Sequence, residues 1–488
     1  MSLNLHQSRV TLTPQFLPML HNLQANILKF HGRHFAHHLF IQVRPDQSEE
    51  AKIWISNFAE SKITSSFQQL GDAALKKIDK AFDGGTIFTL SLSNFGYKTL
   101  KISSSIQQDK TFNDGMHARA GFLGDKFDNW EETFYKKQLD ILVIVADDDA
   151  GVAAAKSEQI INEISSFGSC LINQRGNVLK MAETNVGIEH FGYADGISQP
   201  MYLADEINHQ SMPRTWNDET NLDMVLVEEK DGIENCYGSY FVFRKLEQNV
   251  KCFKIAEGDL PLDPTHPECK RLLPSVLDEN GNDNDELSGA MIVGRFENST
   301  PVTKKSNAIT SDPDDKHLDN DFDYSNDLAG LKCPFHAHVR IVNPRKGNPT
   351  QDAAEIRSHR ITRRAIPFDD NIPKRIPDDM ITSITGEILD ANQPTGKVGL
   401  LFQCYQSDIQ THFEELQGQW ANTGIIDPAI TSIGEDSLIT QGNDNSRSIP
   451  KQWGKSDQSS PFKFSGFVTM RGGEYFYTPS IPFLRNLH

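Results

Sequence analysis

Asp140-Ile141-Leu142-Val143-Ile144-Val145-Ala146 is apolar after its first residue, and an acidic turn, Asp147 to Asp149, follows it. A short apolar run bounded by a turn reads as a strand buried on both faces. Behind the turn, Ala153, Ile160, Ile161 and Ile164 share one face at helical spacing. Upstream, His37 to Val43 (HHLFIQV) is strand-like, Pro45-Asp46 marks a turn, and Ile53, Trp54 and Phe58 lie on one helical face. Thr86 to Phe95 (TIFTLSLSNF) alternates with period two, which predicts a half-buried strand.

The second half repeats this order. Gly238 to Phe243 (GSYFVF) reads as a strand, Lys245 to Phe253 as a short helix, and Ala337 to Val342 (AHVRIV) as another strand. Val398 to Tyr405 (VGLLFQCY) is a buried strand. Ser407 with Gln410 three residues on is a capping-box pattern, and Ile409, Phe413, Leu416 and Trp420 form one helical stripe behind it. The repeated plan predicts an α+β chain of two tandem ferredoxin-like domains, each an antiparallel sheet with packed helices. A length of 488 residues fits two domains, because single cores rarely grow past about 250–300 residues. The polar stretch from Pro200 to Val227 holds the join, which puts the N-terminal domain at 1–212 and the C-terminal domain at 213–488. Pro261 to Asn284 and Asn298 to Asn326 read as long loop insertions in the second domain.

The net charge of −18 opposes binding to nucleic-acid backbones and to anionic membrane surfaces. No apolar run approaches the roughly 20 residues of a spanning helix, and the first residues lack the basic start and apolar core of a secretory signal. The expected compartment is the cytoplasm. The six cysteines (170, 236, 252, 269, 333 and 404) include no CxxC pair, which excludes zinc ribbons, thioredoxin motifs and CxxCH haem attachment. Reduced structural thiols are expected.

Gly192-Tyr193-Ala194-Asp195-Gly196 sets one carboxylate between two glycines. Glycine permits close backbone approach, so such a turn can press Asp195 against a flat ligand. The same five residues also suit an ordinary turn with an Asx cap. In Arg357 to Arg364 (RSHRITRR), four arginines surround His359. That density suits a metal-bearing ligand with anionic edges, of which haem with its two propionates is one; it also suits a basic surface loop. His31, His34, His37 and His38 crowd together without a cysteine or carboxylate at zinc-site spacing, so structural roles are expected. Asp319, Asp321 and Asp323 mimic an EF-hand, but Tyr324 stands where the loop needs glycine, so the run reads as an acidic loop. Walker, GxGxxG and GxSxG motifs are absent.

Five separated blocks, in order, resemble the dye-decolorising peroxidase family. They are Leu23 to Leu28 with Gly32-Arg33 and the strand to Val43; Glu189 to Pro200 (EHFGYADGISQP); Cys333-Pro334-Phe335 with His338-Val339-Arg340 and Asn343-Pro344-Arg345; His359-Arg360-Ile361 with Arg363-Arg364 and Ile366-Pro367-Phe368; and Phe467 to Phe476 (FVTMRGGEYF). The resemblance implies a non-covalent haem b, held mainly by the C-terminal domain. It gives His359 as the iron ligand and Asp195 as the distal acid–base residue. Gly192, Gly196, Arg340, Arg345 and Phe402 are expected around the cofactor. Hydrogen peroxide and small-molecule reducing substrates, phenolic or dye-like, are the implied partners; Trp420 and Trp453 are candidate electron relays, with buried structural roles the stronger reading of each. A non-enzymatic or weakly active haem carrier or sensor, and a haem-free structural relative, are the alternatives on the same fold. One departure stands out. The family carries a distal arginine between the proximal histidine and the strand at Gly399 to Phe402, sometimes immediately before the glycine; here Val398 precedes it, so that either Arg375 or Lys397 supplies the cation or the site has none.

Overall fold

The computed structural model describes residues 3–79, 81–208, 220–230, 234–309, 320–347, 353–391, 393–425, 433–441 and 445–487. Its sheet is built from β1 (Phe35–Val43), β2 (Ile87–Ser93), β3 (Ile141–Asp147), β4 (Gly168–Asn177), β5 (Tyr237–Gln248), β6 (Ile366–Asp369), β7 (Val398–Gln406) and β8 (Val468–Thr478). These lie in the order β6-β7-β5-β8-β2-β3-β1-β4, every neighbouring pair antiparallel. Within each half the strands follow one order: fourth beside first, then third, then second. That is the ferredoxin-like arrangement, twice.

The two half-sheets are fused. β8 pairs with β2 at Phe476–Ser93 and Tyr477–Leu92. At the far edges β4 faces β6, and a Cβ on Gly176 would stand 2.7 Å from Ile366 Cγ2 and 3.3 Å from the Pro367 carbonyl. The sheet therefore curls until its outer strands meet, and a single core fills it.

β3 is buried along its whole length, as its apolar run requires. β2 is buried on both faces too, where alternation predicted one wet face. Two of its three polar positions find protein partners instead of water: Ser91 Oγ lies 2.7 Å from Thr478 Oγ1, and Ser93 donates to the Leu139 carbonyl at 2.5 Å. Helix α1 (Ser48–Ser61) buries Ile55 and Phe58, and α2 (Ala150–Ile164) buries Ala153, Ile160 and Ile164.

Three local expectations are overturned. Lys245 to Gln248 continue β5 rather than start a helix, because Gly399 and Gly472 sit opposite and let the backbones pair; the helix is α3 (Val250–Glu257), capped by the Asn249 side chain. Ala337 to Val342 is not a strand: α4 (His338–Val342) begins there, turned by Pro334, whose carbonyl accepts from Ala337 N. No Ser407 capping box forms; Asp408 accepts from Thr411 N instead, and α5 (Gln410–Ala421) is a π-helix that still buries Phe413, Leu416 and Trp420. The thiols are also not all reduced, since Cys252 and Cys269 are joined, while Cys170, Cys236, Cys333 and Cys404 are free. The boundary expected at 212/213 and residue Asp319 lie outside the described residues. Among the described residues no helix is long and apolar enough to cross a membrane.

Gly176→Val should wedge the seam between β4 and β6. Overpacking of this kind costs about 1–3 kcal/mol, measurable as a lower urea midpoint with an unchanged slope, whereas a neutral result would mean the seam yields freely.

Candidate functional site

A cavity opens beside β5 and β7, walled mostly by aliphatic and aromatic groups such as Leu246, Val293, Val339, Leu400, Phe402 and Phe413. It contains about 1620 Å³ of empty space, including its open mouth. Its polar lining includes Glu189, Asp195, Gln199, Arg244, Arg295, His338, Arg360 and Arg363.

The segment carrying Asp195 is tied down along its length. The Glu189 side chain accepts from Phe191 N (2.9 Å) and Tyr193 N (3.0 Å), which closes the turn. Gly192 and Gly196 take φ of +101° and +78°, the left-handed region that favours glycine. Gly196 lines the cavity, whereas Gly192 packs against Glu297. Asp195 N donates to the Gly187 carbonyl at 2.8 Å. Further on, Ser198 is gripped by Arg345 (2.9 Å) and Asn343 (3.2 Å).

Asp195 Oδ1 accepts from Arg363 Nη2. Arg363 is aimed there by two constraints: its residue pairs with Cys404 of β7, and its backbone N donates to Gln199 Oε1 at 3.0 Å.

The histidine on this cavity is His338, not His359. His338 is the first residue of α4, and its Nδ1 lies 2.7 Å from Asp436 Oδ2. Asp436 is completely buried; its Oδ1 accepts from Leu438 N (2.7 Å) and Ile439 N (3.0 Å), which directs Oδ2 to the imidazole. Burial opposes a charge on His338, but the Asp436 carboxylate outweighs it and holds the imidazole above its ordinary value. Burial likewise opposes ionisation of Asp436, and His338 overcomes it, so the carboxyl is lowered. His338 keeps 27% of its side-chain surface accessible, Asp195 25% and Arg363 19%, so all three remain open to a ligand in the cavity. His359 is turned elsewhere: its Nδ1 bonds the Thr411 carbonyl at 2.6 Å and its ring packs on Trp420.

The other expected residues divide. Phe402 and Gly196 line the cavity. Arg340 is buried outside its wall, bound to Asp327 (2.9 Å) and sandwiched by Tyr324 and Phe335. Arg345 holds the carbonyls of Asn320 and Phe322 as well as Ser198, a positioning role behind the Asp195 segment. Arg375 bonds the carbonyls of His190 and Leu389, and exposed Lys397 turns a loop at φ +61°, so neither reaches the cavity. Trp453 donates to the Val302 carbonyl and Trp420 packs in a separate cluster, both away from the lining. His31 and His38, buried and pushed down to about 3 and 4, belong to no metal-holding group among the described residues.

The residues missed were Arg363, His338 as the cavity imidazole, and Asp436. Arg363 and His338 both stood inside blocks already singled out. Asp436 carries no local signal, because 98 residues separate it from its partner.

A cavity with mostly apolar walls, an imidazole backed by a buried carboxylate, and arginines for anionic edges fits a porphyrin. The class this defines is a haem protein on a doubled ferredoxin-like barrel. Residues 22–179 match the family model for the DyP dimeric alpha+beta barrel domain. The chain is 33% identical over 487 residues to a multifunctional dye peroxidase of an Amycolatopsis species, covering 97% of each. A dye-decolorizing peroxidase of Mycetinis scorodonius is 28% identical over 82% of this chain and 76% of its own. Among solved structures, a DyP-type peroxidase of an Anabaena species superposes with a TM-score of 0.82 at 34% identity, over 97% of this chain and 95% of that one. The chain belongs to the dye-decolorising peroxidases and is a haem-dependent peroxidase.

Glu189 supplies a pH signature. Burial, with Asp195 adding to it, raises its carboxyl from 4.5 to about 7 against the backbone hydrogen bonds that lower it. Since the folded value lies above the unfolded one, this contribution to stability is complete below pH 4.5 and fades as the pH rises through 7. Urea unfolding at pH 5 and pH 8 should show a decline, roughly 1–3 kcal/mol of it from this group, which Glu189→Gln removes; an equal decline in the variant refutes the assignment.

Proposed function

We propose that this cavity binds haem b non-covalently, with His338 Nε2 as the iron ligand, and that Asp195 and Arg363 handle the peroxide. The observation that carries this reading is the convergence on one cavity of a carboxylate-backed imidazole and a carboxylate–guanidinium pair. Metal-bound histidines characteristically give their second nitrogen to a carboxylate, which fixes the tautomer and strengthens the ligand. Asp436 does that for His338.

Haem, when bound, supplies the reduction of peroxide and the one-electron oxidation of donors. Asp195 takes a proton from the incoming peroxide and returns it to the departing oxygen, so that the O–O bond breaks heterolytically. Arg363 engages Oδ1 of Asp195, which leaves Oδ2 for the peroxide, and its charge offsets the negative charge that develops as the bond breaks. Arg295 and Arg360 in the wall would meet the propionates. The donors are bulky phenolic or dye-like molecules, the dyes being what the names of the Amycolatopsis and Mycetinis relatives suggest. A carrier or sensor would have no use for a proton-transfer residue held against a guanidinium.

His338→Ala should lose the Soret band of the purified holoprotein, while His359→Ala keeps it; the opposite pattern would return the ligand role to His359. Asp436→Asn should weaken haem retention about 10–100-fold. In stopped-flow mixing, Asp195→Asn should slow the peroxide step by about 10²–10⁴ with the resting spectrum unchanged.

A further inference from the structure

Tyr475 of β8 is buried, and its phenol donates to Glu414 Oε1 at 2.8 Å. Glu414 has no exposed side-chain surface and receives Arg119 in a fork, Nε at 2.9 Å and Nη2 at 2.6 Å. Glu414 sits on the π-helix α5 immediately after Phe413, which lines the cavity. The Phe413 and Tyr475 ring centroids are 6.3 Å apart. On the outward side Arg119 is partly accessible, and its guanidinium lies 5.4 Å from the ring of Phe122, which is exposed. A continuous line of groups thus runs from the cavity wall to the surface. None of it serves the peroxide chemistry described above.

We infer that Tyr475 is a redox relay, carrying single electrons from donors held at the surface near Phe122 to the cofactor, with Glu414 as its proton acceptor. This rests on the haem reading of the cavity. A phenol in a dry interior cannot lose an electron cheaply while it keeps its proton, so a base must already be bonded to it. Glu414 is that base. The step balances: Tyr475 gives one electron to the peroxide-oxidised cofactor, its O–H bond breaks, and the proton forms an O–H bond on Glu414. The neutral tyrosyl radical then takes one electron from a phenolic donor and recovers its proton from Glu414. The donor leaves as its own one-electron oxidised product, releasing its phenolic proton to solvent.

A second tyrosine–carboxylate pair borders the cavity, Tyr193 donating to Glu257 at 2.9 Å. It is less suited. The Lys254 ammonium stands over the Tyr193 ring at 5.5 Å, opposing loss of an electron.

The test is rapid-freeze electron paramagnetic resonance of the holoenzyme mixed with peroxide and no donor. Ring-deuterated tyrosine identifies a tyrosyl signal, and spin trapping with peptide mapping locates it. The expected result is an adduct on Tyr475, loss of the signal in Tyr475→Phe, and loss of most of it in Glu414→Gln, which keeps the shape of the pair. Glu414→Gln also decides the matter if Tyr475→Phe fails to load haem. A signal unchanged in Glu414→Gln, or kept in Tyr475→Phe and lost in Tyr193→Phe, overturns the relay. If peroxide shifts the haem spectrum but no tyrosyl signal forms, the relay alone is wrong; if no haem is retained, the reading of the cavity falls and the relay with it.

Discussion

β8 joins nearly everything. It lies along β5 from Val468 to Thr478, and its end also pairs with β2, so the last strand of the second half stitches that half to the first. The opposite seam, where β4 meets β6, joins the same two positions with the halves exchanged. Neither half could leave those edges bare without presenting unpaired backbone groups to any passing strand. The doubled fold is therefore a mutual covering of edges, and the cavity sits against the strands that this closure holds still. Val468 lines that cavity, while Glu474 and Tyr475 enter the buried network behind it.

That network explains how so much charge is tolerated inside. An unpaired buried ion is costly, so charges here come with fixed partners. Arg244, on the cavity wall, is held by both oxygens of Asp125 at 2.6 and 2.8 Å. Glu414 has Arg119, Asp195 has Arg363, and Asp436 has His338. Each pair ties distant chain segments together, and three of the four leave one member open to a ligand or to the surface. A wall of this kind is rigid where the protein needs geometry and polar where a ligand needs a handle.

The architecture was legible because its signals are local and repeated. Asp140 to Ala146 could be little other than a buried strand, and Val398 to Tyr405 repeated it. The errors arose where a tertiary partner outweighs local pattern. His338-Val339-Arg340-Ile341-Val342 has the composition of a strand, yet it is helical and buries Arg340 against Asp327. The alternating β2 is wet on neither face, and β8 meets one of its hydroxyls, with Thr478 against Ser91.

The cavity imidazole shows the same principle at the site. His359 stands among four arginines, and that density drew attention to it. Positive charge nearby, however, is a poor guide to a metal ligand. A ligand nitrogen is made more basic by a carboxylate behind it, and that carboxylate can come from anywhere in the chain. Asp436 is such a group, and it stands behind His338. Arg363 stood in the searched interval whichever histidine is taken; it was counted with the block around His359, and the cation was sought only beyond Arg364. Its place on the cavity is set by its bond to Asp195, a contact across 168 residues that no sequence window holds.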